Sequence, residues 1–108
     1  MAIVVLVTIP EKEAENLSKM LVQERVCACV NIIKGVKSFF WWEGKIDEAQ
    51  EAILIIKTKD SLFGKLKTLI KNNHPYSVPE IISLKIDQIN QEYLEWLNKE
   101  ANATTFST

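Results

Sequence analysis

Two hydrophobic periods alternate along this chain. Ala2 to Thr8 (AIVVLVT) is β-branched and apolar throughout, the pattern of a strand buried on both faces. Pro10 suits the first turn of a helix, and Glu11, Glu13 and Glu15 suit the positive end of its dipole, so a helix is predicted over Pro10 to Glu24. Ala14, Leu17, Met20 and Leu21 form its inward stripe. Val26 to Trp42 (VCACVNIIKGVKSFFWW) reads as a strand with a bulge or bend at Gly35, and Glu43-Gly44 as a hairpin turn. Lys45 to Thr58 returns as a strand, polar at first and apolar from Ala52. Asp60 is placed to cap a second helix, Ser61 to Asn73, whose apolar face is Leu62, Phe63, Leu66, Leu69 and Ile70. A fourth strand, Glu80 to Ile86, leads to a third helix, Asn90 to Ala101, with Tyr93, Leu94, Trp96 and Leu97 facing inward. Residues 102–108 read as a frayed tail.

The order β-α-β-β-α-β with a terminal helix predicts an α+β chain of the ferredoxin-like, split βαβ type. LVT at Leu6 to Thr8 and IKT at Ile56 to Thr58 each close an apolar strand just before a helix, as two pseudo-symmetric halves would. A length of 108 residues fits one domain covering residues 1–108.

The hairpin is too long for so small a globule. Val26 to Trp42 would span about 55 Å at ~3.3 Å per residue, against a radius of gyration near 13 Å. Alternation sends Phe39 and Trp41 to one side of the ribbon and Phe40 and Trp42 to the other. A lone ribbon with aromatics on both sides is marginal in water, so these four residues are predicted to form an interface between copies; the alternative is a ribbon folded back at Gly35 over its own sheet.

Composition narrows the class. Thirteen Lys and Arg against 14 Asp and Glu give a formal net charge of −1, without a global basic field for nucleic acid or anionic lipid. An RNA-stacking role for Phe39 to Trp42 lacks a recognition-motif signature and any basic surplus. The apolar N-terminal run is far shorter than the roughly 20 residues of a membrane span and has no basic leader, so it is read as a strand and no membrane association is expected. Cys27 and Cys29 would lie on one strand face with Cα atoms about 6.6 Å apart and parallel side chains, which disfavours a disulfide and suits a cytoplasmic location.

VCACVNIIKGVKSFFWWEGKI, ILIIKT, HPYSVPEIISLKI and YLEWL, in this order and spacing, resemble the divalent-cation-tolerance (CutA) family from about Val4 to Leu97. The resemblance implies a ferredoxin-like protomer in a trimer similar to that of the PII signalling proteins, with strands of neighbouring copies joined at their edges. It also implies a link to divalent-metal tolerance and copper binding, and it implies no enzymatic reaction. Where metal ligands have been proposed, the family pattern places a Cys at the position of Val7 and a second His at that of Asn73; here His74 alone remains.

Three groups of residues are candidate sites. His74, the only histidine, follows a helix and precedes Pro75; it reads either as a structural residue closing the helix end or as a ligand for copper or another divalent metal, which would need further donors. Cys27 and Cys29 read as small core side chains, or as a thiolate pair for Cu(I), Cys29 being the position the resemblance favours; no Lys or His adjoins them in sequence to stabilise a thiolate. Lys57, Thr58 and Lys59, just before a helix, read as a solvated loop or as an anion site; Trp42, Tyr76 and Glu80 are candidates to line the same cleft between copies. The expected function is a non-enzymatic homotrimer of divalent-metal homeostasis that binds a metal ion or small ligand between copies. The alternatives are a PII-like small-anion sensor, and an enzyme using Cys29 or His74.

Overall fold

Four strands and three helices follow the predicted order: β1 (Ala2–Pro10), α1 (Glu11–Gln23), β2 (Cys29–Trp42), β3 (Lys45–Lys59), a 3-10 turn (Asp60–Leu62), α2 (Phe63–Asn72), β4 (Ile81–Lys85) and α3 (Gln91–Glu100). They are taken from a computed structural model of the chain, which describes residues 1–103. The strands form one antiparallel sheet in the order β2-β3-β1-β4. This is the ferredoxin-like arrangement, in which β3 separates the two strands joined through α1.

One face of the sheet carries the core. Ile3, Val5, Val7 and Ile9 of β1 are buried and lie opposite Thr58, Ile56, Leu54 and Ala52 of β3. Ala14, Leu17 and Leu21 of α1 and Leu66 and Ile70 of α2 close over them. The two-sided burial expected of β1 is not found. Its residues alternate between buried and half-buried, because α1 and α2 cover a single face and the apolar run is read by a sheet with only partial cover behind it. In α1 the buried positions are Ala14, Leu17, Ser18 and Leu21, whereas Met20 is half-buried. Pro10 ends β1 and stands at the N-cap of α1.

Behind the sheet, α3 covers only one end. The Lys59 ammonium donates to the Asn98 carbonyl at 3.3 Å, and Arg25 at the end of α1 meets the Glu100 carboxylate at 3.0 Å. Leu97 and Ala101 are buried, whereas Tyr93, which reaches the sheet at Cys29, and Trp96 are still 38% and 42% exposed, so the inward side predicted for α3 is covered only in part. Asn90 caps α3 by accepting the Glu92 N–H at 2.9 Å. Asp60 does not cap α2. Its carboxylate meets the Met1 amino group at 3.4 Å and its N–H donates to the Met1 carbonyl at 2.9 Å, which ties the start of β1 to the end of β3.

β1 stops opposite Glu51, yet β2 and β3 continue as a two-stranded ribbon from the Val36–Glu51 pair to the Trp42–Lys45 pair. At ~3.3 Å per residue the overhang is about 20 Å. It raises the radius of gyration to 14.5 Å, above the roughly 13 Å of a compact chain this long. Gly35 does mark a bulge: register shifts between Ile33 and Val36, Gly35 has φ of 74°, and its N–H donates to the Glu11 carboxylate. Beyond the bulge β2 and β3 stay paired to the tip with Phe39 to Trp42 exposed, so the ribbon is not folded back over its own sheet. Glu43 and Gly44 both have positive φ, as a two-residue I′ hairpin requires. Of the tail, Ala103 packs against the core and its carbonyl accepts the Lys65 ammonium at 2.8 Å; residues 104–108 lie outside the described residues.

Candidate functional site

β3 acts as a ruler for the predicted site residues. Trp42 pairs with Lys45 at the ribbon tip, Glu51 marks the end of β1, and Lys57 lies opposite Cys29. These positions are six residues apart, about 20 Å for each step. A single protomer therefore does not bring Trp42, Tyr76 and Lys57 into one cleft.

The middle position holds a hydrogen-bonded chain. His74 Nε2–H donates to the Thr8 carbonyl at 2.8 Å, and His74 Nδ1 accepts the Tyr76 N–H at 3.1 Å. The Tyr76 hydroxyl donates to Glu51 Oε2 at 2.7 Å, and the two rings of His74 and Tyr76 lie 4.8 Å apart. Glu51 is only 4% exposed. Burial, the bond to the Glu51 carboxylate and the charges of Glu51 and Glu13 push the Tyr76 phenol up to about 12. His74 does not close the end of α2 as its structural reading supposed; Asn73 does so, donating from Nδ2 to the Leu69 carbonyl at 2.8 Å. Glu80 is exposed just before β4.

At the far end, alternation separates the predicted anion triplet. Thr58 points into the core, where its hydroxyl donates to the Val26 carbonyl at 2.8 Å, while Lys57 and Lys59 share the opposite face. Lys57 Nζ donates to Asn31 Oδ1 and lies 3.9 Å from Cys29 Sγ. Cys29 also has Tyr93 beside it, and burial together with that thiol raises the Tyr93 phenol above its ordinary value.

Cys27 and Cys29 do not share a strand face. β2 begins at Cys29, and Cys27 precedes it in an irregular segment that turns its side chain into the core. Desolvation, aided by Cys29, pushes the Cys27 thiol up to about 12, and its place in the core cluster matches the reading of a small core side chain. Cys29, by contrast, has an ammonium group close by. The cross-strand register supplies it, and adjacency in sequence gave no sign of it. Glu51, Asn31 and Tyr93 were also missed as site residues; for Glu51 the available signal was its place as the last charge before the apolar run AILII.

Among the described residues, no three or more His, Cys, Asp and Glu side chains converge as a metal site, and no helix is long and apolar enough to cross a membrane. The donor set of one protomer thus does not fit a copper or zinc centre.

The profile of the CutA1 divalent ion tolerance protein family matches residues 3–100. The chain belongs to that family. The divalent-cation tolerance protein CutA of Thermus thermophilus is 48% identical over 97 residues, which cover 89% of this chain and 94% of that protein. The rice protein CutA 1, chloroplastic, is 50% identical over 97 residues, covering 89% of this chain and 55% of that longer protein. The solved structure of the Thermus thermophilus divalent cation tolerance protein Cut A1 superposes with a TM-score of 0.90 at 48% identity, covering 93% of this chain and 98% of the other. The CutA1 family is thus shown twice over, by sequence and by fold, and the sequence resemblance is confirmed.

Proposed function

We propose that this CutA1 family member acts without catalysis as a homotrimer in the cytoplasm, and that a metal ion such as copper, or another small ligand, is held in clefts between its copies. The observation that carries the reading is the overhanging ribbon. Phe39 and Trp41 are 64% and 73% exposed on one side, and Phe40 and Trp42 remain exposed on the other. Ile33, Ile82 and Leu84 extend the apolar surface across the sheet face that α3 leaves open. Both sheet edges, the distal part of β2 and the five residues of β4, have unpaired backbone. Such a surface favours closed self-association over a solitary protomer.

Association also supplies what a single protomer lacks. A ribbon reaching about 20 Å past its own sheet can carry Trp42 to a neighbour's Tyr76 and Glu80. Carboxylates contributed by two copies at that cleft, Glu80 among them, give a divalent ion the multiple ligands it needs, while Cys29, about 20 Å further along β3, is a separate soft donor. Free thiols at both cysteines suit the reducing cytoplasm. A second reading, a PII-like small-anion sensor, is favoured by the ammonium groups of Lys57 and Lys59 on one face. An enzyme built on Cys29 and His74 together is disfavoured, since the Thr8 carbonyl that holds His74 is about 16 Å from Cys29 by strand geometry.

Calorimetric titration with Cu(II), Zn(II) and inorganic phosphate, on the assembled chain and on the dissociated Trp41→Asp variant, tests the cleft. Saturable binding to the assembly alone is expected. Equal binding to the folded monomer would reject a site between copies.

A further inference from the structure

A metal-binding imidazole offers the lone pair of one nitrogen to the ion and donates the N–H of the other to a carbonyl or carboxylate. His74 has the second half of this arrangement in the bond from Nε2–H to the Thr8 carbonyl at 2.8 Å. The first half is closed, because the Nδ1 lone pair accepts the Tyr76 N–H at 3.1 Å. Tyr76 is not free to withdraw, as its hydroxyl is held at 2.7 Å by the buried Glu51 carboxylate. The neighbouring Asn73 is also engaged, at the Leu69 carbonyl.

The place of this chain of bonds in the sheet gives it a purpose. The ladder between β1 and β4 ends at the Val7–Ile81 pair. Thr8 is the next residue of β1, and the segment that would continue the ladder contains Pro79, which has no N–H to give. His74 takes up the carbonyl one residue past the last pair. Its ring then fixes Tyr76, and Tyr76 is anchored on β3 through Glu51. The loop 73–80 is thereby tied to two strands immediately before β4 begins.

We infer that His74 of this chain is a positioning residue and not a metal ligand: the bonded series Thr8, His74, Tyr76, Glu51 sets where the edge strand β4 starts and so shapes the edge offered to the next copy. The last clause rests on the reading that copies join there; the positioning of β4 within the protomer does not.

Two variants and two readouts on the full chain test this. His74→Ala removes both bonds, whereas His74→Gln keeps an amide that can donate to Thr8 and accept from Tyr76. With His74→Ala, hydrogen exchange at the β4 amides is expected to rise about tenfold, the effect of losing one net hydrogen bond or somewhat more. Binding of Cu(II) and Zn(II), by calorimetry, should stay within about twofold of wild type in both variants, and His74→Gln should restore slow exchange. Tenfold weaker ion binding in His74→Gln with restored exchange would overturn the inference and make His74 a ligand. Unchanged exchange in His74→Ala would overturn it as well. Should the wild-type chain prove monomeric, the clefts between copies fall, while β4 exchange in the monomer still decides the role of His74.

Discussion

Trp41→Asp puts the ribbon to its sharpest test. Trp41 is 73% exposed and pairs across the ribbon with Ile46, itself exposed, so within the protomer the side chain does little. The variant should fold, with an intrinsic cost of about 1 kcal/mol or less from the lost cross-strand pair. Association tells a different story. A tryptophan presents about 250 Å² at most, and at 73% exposure about 180 Å² is left for a partner to cover. At ~25 cal/mol per Å², full coverage contributes about 4 kcal/mol per contact and half coverage about 2 kcal/mol. The replacement carboxylate adds a desolvation penalty of the same sign. Each contact therefore weakens by at least about thirtyfold and up to a thousandfold, and a closed trimer has three of them. Sedimentation velocity over a concentration series is the assay. Wild type should run as three copies of a 12.4 kDa chain and Trp41→Asp as one, with the far-UV circular dichroism of both alike. A variant that sediments like wild type at every concentration would remove the ribbon from the interface and with it the reason for expecting one.

Three further outcomes follow from local geometry. Glu43→Asn should stabilise the chain by about 0.5 kcal/mol in urea unfolding, since Glu43 holds φ of 51° in an I′ turn where Asn is preferred. Thr58→Val should destabilise it by about 1–2 kcal/mol by the same measurement, because a near-isosteric methyl leaves the Val26 carbonyl without its 2.8 Å donor. The Cys27 thiol is raised from 9.0 to about 12, so the folded chain binds its proton more tightly than the unfolded chain does. That contribution is complete below about pH 9 and is lost as pH rises toward about 12; urea midpoints should fall over this window, and less steeply in Cys27→Ala.

Element types were legible because they rest on local periods. The 3.6-residue spacing of Leu62, Leu66 and Ile70 located α2, and all three are buried. Gly35 and Glu43-Gly44 announced a bulge and a turn, and their positive φ values bear both out. Faces were less legible. Tyr93 and Trp96 fit the inward side of an amphipathic helix, but α3 crosses only the end of the sheet, so half of its aromatic side has nothing beneath it. An apolar stripe gives the side that avoids water; it does not say whether the chain itself or another copy will cover that side.

The candidate site was the least legible part, for a reason that Lys57, Thr58 and Lys59 make plain. Read as a string, they are three neighbouring donors in front of a helix. Folded into β3, the middle one faces the core and bonds Val26, while the outer two face the other way, one beside Cys29 and the other against α3. Period-two geometry divides what sequence adjacency joins. It also joins what sequence separates: the pairing of Cys29 with Lys57 sets a thiol beside an ammonium 28 positions away, and Tyr76 finds Glu51 because the loop 73–80 crosses the end of β1. Register is fixed by which residues of β1 and β3 face α1 and α2, so the chemistry of the second face is decided by packing on the first. A single-residue slip of β2 against β3 would bring Asn31 and Cys29 to the core side and dismantle the cluster, and the exclusion of Asn31 from that core is what prevents it.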